Sequence, residues 1–230
     1  MNVWGCLLGG IIVLIVLFHI IGWFLPIHTL HRKFTRLLQI LDTICNHYGW
    51  NYWIESGTLL GAVRSQNIIP WDDDADVSMM LEDCTKLIQE KEALRVKYGV
   101  EVAFVEEHQI YKLYLPGDYS AWIDIFPRTL SNQQYILSGE KARKVWPGQW
   151  FDKDALTGYR MYRLGNLSVR GPVETTKYLE RLYGKQWRVP KQTNVHTFQS
   201  FYLLVCKSKW YYPTIVVVLV AFLVALKQKY

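Results

Sequence analysis

The sequence is poor in cysteine and has no CxxC pair. Its four cysteines, Cys6, Cys45, Cys84 and Cys206, lie far apart along the chain. This spacing argues against a structural zinc site and against the dense disulfide framework of a small secreted domain. It favours buried free thiols and leaves open a single bridge between Cys45 and Cys84.

Charged residues are missing from the N-terminal segment, where no Asp, Glu, Lys or Arg precedes Arg32. The run from Val3 to Ile27 is long enough to cross a hydrocarbon core of about 30 Å. It has no basic n-region, and Trp23-Phe24-Leu25-Pro26 closes it in place of the small residues of a signal-peptide cleavage site. We therefore predict an uncleaved transmembrane anchor over residues 1–28.

A second uncharged run extends from Trp210 to Leu226. It predicts a hydrophobic C-terminal segment over residues 198–230, which either spans the membrane as a second helix or lies in the interface. Basic residues after the first segment favour a cytoplasmic domain, but lysines flank the second segment on both sides, so the orientation stays open. The sequon Asn166-Leu167-Ser168 would matter only in a lumen. The expectation is an integral membrane protein.

The chain also lacks internal repeats and low-complexity linkers, and its 230 residues suit one domain with short appendages. A hydrophobic fraction of 50% excludes a disordered chain. The net charge of +6 suits anionic ligands or a phospholipid surface, or equally a solvated basic face. No strip of interleaved basic and aromatic residues is present, so no nucleic-acid partner is expected.

Between the hydrophobic segments, residues 29–197 are predicted to form one catalytic domain. Its hydrophobic periodicity alternates between helical and extended segments, which predicts an α/β (α+β) fold with a small mixed central sheet. The predicted elements are helices Thr29–Cys45, Thr58–Arg64 and Leu81–Tyr98, and strands Tyr52–Ile54, Val77–Met80, Val100–Glu106, Gln109–Leu115 and Ala121–Phe126, the last ended by Pro127.

The acidic run from Pro70 to Asp76 continues into an extended segment. Side chains two apart in a strand share a face, so Asp74 and Asp76 point one way while Ala75 and Val77 point into the core. Two such carboxylates repel each other unless a cation lies between them, and Mg²⁺ or Mn²⁺ suits oxygen ligands. The alternative for an acidic run is a solvated loop.

Asp124 is flanked by apolar residues in Trp122-Ile123-Asp124-Ile125-Phe126, as in a buried strand. It is a candidate third ligand from a neighbouring strand. The alternative is a carboxylate that caps a turn near Pro127.

Small residues at Ser56-Gly57-Thr58 predict a turn that opens a helix. The free backbone N–H groups at such a helix start can hold a phosphate. Arg64 follows about two turns later. Glycine-rich helix starts also occur for steric reasons alone, so only the neighbouring carboxylates make this segment specific.

Four segments together resemble the signature of the LicD/fukutin/fukutin-related family. The resemblance extends roughly from Phe34 to Pro190. The segments are Glu55–Arg64, Ile68–Val77, Trp122–Pro127 and Tyr178–Trp187.

The resemblance implies a nucleotidyltransferase-type fold and transfer of a phospho-alcohol, such as phosphocholine or ribitol phosphate, from a CDP-linked donor to a glycan acceptor. It also implies a Golgi or ER membrane location. Asp74, Asp76 and Asp124 would be the catalytic and metal-binding carboxylates. The donor-binding residues would be Ser56, Gly57, Thr58, Arg64, Asp72 and Asp73.

In the mechanism that the resemblance implies, an acceptor hydroxyl attacks the phosphorus that bears the alcohol, Asp124 accepts the proton, and CMP leaves. Two alternatives are a nucleotidyltransferase that releases pyrophosphate and a non-catalytic membrane scaffold with a transferase-like fold. Product analysis and binding of Mn²⁺ or CDP distinguish them.

Overall fold

The computed structural model describes residues 29–70, 72 and 74–190. The predicted membrane segments at 1–28 and 198–230 lie outside these residues, and so does Asp73. Within the described part of the chain, no helix is both long and apolar enough to cross a membrane.

The first helix, α1, covers residues 29–48. Its apolar residues recur at three- and four-residue steps, and the stripe that they form is buried, which confirms the predicted amphipathic helix. Gly49 follows in the left-handed region, with φ of 70°, a conformation that glycine adopts without strain. The buried residues of the stripe are Phe34, Leu37, Leu38, Leu41 and Ile44.

The five further α-helices of the described residues are mostly short. The single helix predicted over residues 81–98 is broken at Glu90, while its end before Gly99 is confirmed. The helices are α2 (Ser56–Ser65), α3 (Leu81–Gln89), α4 (Lys91–Tyr98), α5 (Glu140–Val145) and α6 (Thr176–Tyr183), with a 3₁₀ turn at Lys153–Leu156.

A seven-stranded mixed sheet forms the centre of the domain, in the order β1-β2-β5-β4-β3, with β6 between β5 and β7. Only β2 and β5 pair in parallel among the described strands, and the chain between them supplies the required crossover. This confirms the mixed α/β fold. The strands are β1 (Tyr52–Ile54), β2 (Ala75–Met80), β3 (Glu101–Val105), β4 (Ile110–Leu115), β5 (Asp118–Ser131), β6 (Gln134–Leu137) and β7 (Trp150–Asp152), and a separate hairpin comprises β8 (Arg160–Leu164) and β9 (Leu167–Gly171).

Strand β5 is longer than predicted, because Pro127 does not end it and the strand continues to Ser131. The prediction of a strand end at Pro127 was therefore wrong. Pro127 lies between Ile125, the last residue of β5 that pairs with β4, and Arg128, the first that pairs with β6. Proline is tolerated there because neither of those two ladders pairs through it.

The core confirms the predicted alternation along β2, since Ala75, Val77 and Met79 are fully buried. Cys45 and Cys84 are buried free thiols, so the bridge that the sequence left open is not formed. Burial raises the pKa of the Cys45 thiol to about 12.

Candidate metal and donor site

Three carboxylates meet where β2 and β5 run side by side. Asp76 on β2 and Asp124 on β5 are register partners of the parallel pair, and Asp74 lies just before β2. One carboxylate oxygen from each residue lies within 4.8 Å of the other two. The structure thus brings together the three residues predicted as ligands, although their role as ligands remains a prediction.

The three carboxylates belong neither to a solvated loop nor to a turn cap. Asp74 and Asp76 are partly buried, so they are not a freely solvated loop. Asp124 is in the interior of β5 and pairs with both β2 and β4, so it does not cap a turn near Pro127.

The electrostatics of the cluster penalise ionised carboxylates. Burial raises the pKa of Asp76 well above its ordinary value, and the nearby charges of Asp74 and then Asp124 raise it further. Burial also raises the pKa of Asp124, and the ammonium of Lys112 opposes this effect. Without a compensating cation, the protonated forms of Asp76 and Asp124 are therefore favoured.

The donor set fits a hard divalent cation. Mg²⁺ prefers oxygen ligands at about 2.0–2.1 Å, which places opposite ligands roughly 4 Å apart. The three carboxylate oxygens all lie within 4.8 Å of one another, so the cluster is compact enough for one such ion. Asp74, Asp76 and Asp124 are thus suited to Mg²⁺ or Mn²⁺.

Lys112 is a site residue that sequence reasoning missed. It is the register partner of Asp124 on β4, and its Nζ lies 2.9 Å from Asp124 Oδ1. The same ammonium lies 4.2 Å from the centre of the Trp122 ring. A lone lysine in the otherwise uncharged strand β4 was the available signal.

The strand before Glu55 and the helix after it are confirmed, but α2 starts at Ser56 and not at Thr58, so the predicted turn is part of the helix. The hydroxyls of this first helical turn contact protein groups. Thr58 Oγ1 accepts the backbone N–H of Asp76 at 2.9 Å. Ser56 Oγ accepts a hydrogen bond of 2.9 Å from Gln149 Nε2 and lies 3.4 Å from the Tyr178 hydroxyl. The Thr58 bond ties α2 to β2, and the Ser56 contacts tie it to Gln149 and α6. Donor binding by Ser56 and Thr58 stays a prediction.

Gly57 in the first turn of α2 lies close to Asp72 of the acidic run. A Cβ at this position would lie 2.8 Å from Asp72 Oδ2. The backbone carbonyl of Asp72 in turn lies 2.8 Å from His31 Nε2 on α1. Asp72 therefore places negative charge at the start of α2, where the helix dipole favours it.

Arg64 lies in the last turn of α2. Seven residues separate it from Gly57, so both share one face of the helix, roughly 10 Å apart along its axis. Donor binding by Arg64, Gly57 and Asp72 stays a prediction.

The residues of this site lie in a region that matches a known protein family. The family model described as LicD/FKTN/FKRP, nucleotidyltransferase domain, matches residues 49–174, which is more than half of the chain. The chain belongs to the LicD/FKTN/FKRP family. The matched region contains the three carboxylates, Lys112 and the start of α2.

Relatives within the LicD/FKTN/FKRP family come from bacteria and animals. Uncharacterized protein RP689 of Rickettsia prowazekii is 35% identical over 132 residues, which cover 57% of this chain and 47% of that protein. The human ribitol-5-phosphate transferase FKTN is 27% identical over 161 residues, covering 68% of this chain and 33% of FKTN. The lipopolysaccharide cholinephosphotransferase LicD of Haemophilus influenzae is 33% identical over 96 residues, covering 40% of this chain and 32% of LicD.

The chain thus spans about half the length of the first relative and about a third of the other two.

Among solved structures, ANT(2″)-Ia in complex with adenylyl-2″-tobramycin is 14% identical to this chain. The match covers 83% of this chain and 97% of that chain, with a TM-score of 0.46.

Proposed function

We propose that this chain is a metal-dependent phosphotransferase that moves a phospho-alcohol from a CDP-linked donor to a glycan hydroxyl. The observation that carries the proposal is the register of Asp76 against Asp124, with Asp74 beside them. Three converging carboxylates next to a helix start are suited to a metal–diphosphate complex.

Family membership supports the type of group transferred. Two relatives are named as a ribitol-5-phosphate transferase and a cholinephosphotransferase, so a phospho-alcohol of either type is the proposed cargo. The CDP-linked form of the donor and the glycan nature of the acceptor belong to the proposal.

Each part of the site has a proposed role. Asp74, Asp76 and Asp124 would hold Mg²⁺ or Mn²⁺, which when bound supplies positive charge to the donor diphosphate. The start of α2 and Arg64 bind donor phosphates, and Asp72 and Asp73 border the donor.

The acceptor hydroxyl attacks the phosphorus that bears the alcohol. A new O–P bond forms, the bond from that phosphorus to the bridging oxygen breaks, and CMP leaves with that oxygen. The proton of the hydroxyl passes to Asp124, whose carboxyl has a raised pKa because it is buried, and which is therefore suited to accept it.

The decisive experiment uses the full-length, detergent-purified protein with Mn²⁺ and a panel of CDP-alcohols, and measures CMP release. Asp74→Asn and Asp76→Asn should abolish release while the circular dichroism spectrum stays unchanged. Glu92→Gln, an exposed acidic residue in the first turn of α4, is the matched control and should keep full activity.

The products distinguish the competing functions. Pyrophosphate release from a nucleoside triphosphate would identify a nucleotidyltransferase instead. A protein that binds neither Mn²⁺ nor CDP would be a non-catalytic scaffold. Retained CMP release by Asp76→Asn would reject the assigned site.

We also propose that residues 1–28 and 198–230 attach the domain to a Golgi or ER membrane. Resistance to alkaline extraction tests this attachment. Asn166 is exposed in the turn between β8 and β9, so it is accessible to glycosylation in a lumen. A glycosidase-sensitive mass shift that Asn166→Gln removes would place the domain on the lumenal side.

A further inference from the structure

A buried ion pair lies on the same face of the sheet as the carboxylates. Glu55 and Arg128 are both fully buried, and Arg128 Nη2 donates a hydrogen bond to Glu55 Oε2. Arg128 follows Asp124 by four residues on β5, and Ser78 follows Asp76 by two on β2. Side chains two and four residues apart along a strand share a face, so the pair and the carboxylates are on one face.

Ser78 connects the ion pair to β2. Its hydroxyl donates to Glu55 Oε2 and accepts a hydrogen bond of 2.8 Å from Arg128 Nε. The backbone N–H of Glu55 also donates to the carbonyl of Asp76 at 3.1 Å. The two strands that present Asp76 and Asp124 are therefore tied together through these side chains.

The same network continues to the start of α2. Arg128 Nη1 donates to the backbone carbonyl of Gln149, and Gln149 Nε2 donates to Ser56 Oγ. Ser56 has φ of 46°, a left-handed conformation that residues other than glycine rarely adopt. The ion pair is thus connected to the turn that the donor phosphates are proposed to contact.

Stability alone does not account for this pair. Removing two charges from water is costly, and pairs of this kind can often be replaced by apolar residues without loss of stability. Among the described residues, Glu55 Oε1 has no hydrogen-bond partner, which adds a further desolvation cost. A geometric role accounts for the pair better.

We infer that Glu55 and Arg128 are positioning residues, which set the separation of Asp76 and Asp124 through Ser78 and the backbone of Asp76. The inference rests on the proposed metal-dependent transfer. Groups that hold metal ligands in place typically change metal affinity or activity by about 10–100-fold when they are replaced.

The test is the full-length double variant Glu55→Met/Arg128→Met. Its unfolding midpoint should stay within about 5 °C of the wild type. Its Mn²⁺ affinity, measured by calorimetry, and its kcat should both fall about 10–100-fold, while KM for the acceptor changes little.

A second arginine–carboxylate pair offers a matched control. Arg170 Nη2 on β9 lies 3.6 Å from Asp42 Oδ1 on α1, and neither residue belongs to β2 or β5. Asp42→Met/Arg170→Met should leave the Mn²⁺ affinity at the wild-type value.

A folded Glu55→Met/Arg128→Met protein with wild-type Mn²⁺ affinity would overturn the inference. If this variant does not fold, Arg128→Lys, which keeps the charge but loses the forked donors, decides instead. Weakened Mn²⁺ binding by folded Arg128→Lys supports the positioning role, and unchanged binding overturns it. Wild-type protein that binds Mn²⁺ but releases no CMP would contradict the proposed function. The ratio of the Mn²⁺ affinities of the variant and the wild type would still decide this inference.

Discussion

Asp76 and Asp124 are register partners on the parallel strands β2 and β5, so two carboxylates lie side by side in the sheet. Adjacent like charges in a partly buried position are unfavourable unless something compensates them. The ammonium of Lys112 compensates the charge of Asp124. The remaining charge at Asp74 and Asp76 makes the metal-free protein sensitive to pH.

Asp76→Asn should stabilise the metal-free protein, and more so as pH rises. The folded-state pKa of Asp76 is raised well above its ordinary value by burial and then by the charges of Asp74 and Asp124. Below the unfolded-state pKa of about 3.9, both states are protonated and Asp76 carries no penalty. As pH rises towards the folded-state pKa, Asp76 ionises first in the unfolded state, so the free energy of unfolding of the wild type falls. The Asp76→Asn variant has no carboxyl group at this position and does not lose this free energy.

The measurement is the unfolding midpoint in EDTA between pH 4 and pH 8. Asp154→Asn, which removes an exposed carboxylate, is the control and should show no such trend. If the difference in unfolding midpoint between Asp76→Asn and the wild type did not change with pH, ionisation of Asp76 would not be its cause.

The local part of the site could be predicted from the sequence because it depends on short-range patterns. Alternation along residues 74–79 identifies which carboxylates share a face, and small residues at Ser56-Gly57-Thr58 identify where α2 starts. The core positions of β2 follow from the same alternation. These predictions needed no knowledge of which strands are neighbours.

The long-range part could not be predicted in this way. Lys112 reaches Asp124 only because β4 pairs with β5 in one particular register. Glu55 and Arg128 are 73 residues apart, and nothing in either segment indicates that they meet. Pro127 was misread for the same reason, because its effect on a strand depends on which neighbours require its N–H group.

Gly57→Ala should reduce transfer without unfolding the protein. The added Cβ would lie 2.8 Å from Asp72 Oδ2, which forces the carboxylate away from the start of α2. A displacement of about 1 Å near a reacting group can cost up to roughly 100-fold in rate. Steady-state CMP release and the unfolding midpoint are measured together.

Gly158→Ala is the control for this change, because a Cβ there meets no atom within 4 Å. It should keep wild-type activity. Equal activity of the two alanine variants would show that the contact between Gly57 and Asp72 does not matter for transfer.

The buried thiols should be unreactive in the folded protein. Burial raises the pKa of Cys45 to about 12 and that of Cys84 well above its ordinary value. The thiolate is the reactive form, so at pH 8 neither residue should be alkylated until the domain unfolds. Peptide mapping separates them from Cys6 and Cys206, and labelling of Cys84 in native protein would contradict its burial.

Lys112→Met should lower kcat about 10–100-fold, the range typical for groups that orient metal ligands. The ammonium is 2.9 Å from Asp124 Oδ1, and without it the carboxylate loses both its orientation and the charge that opposes its raised pKa. Asp124 would then be protonated to a larger extent, and its carboxylate would no longer be held in one orientation. Lys112→Arg, which keeps the charge, should restore part of the rate.

Lys141→Met is the matched control, because its ammonium pairs at 3.3 Å with the exposed Glu106 and exposed ion pairs contribute little. Steady-state CMP release for the three variants gives kcat and KM separately. If Lys112 acts on Asp124, the loss should appear in kcat. A loss confined to KM for the donor would mean that the ammonium binds donor phosphate instead, and an unchanged kcat would remove Lys112 from the site.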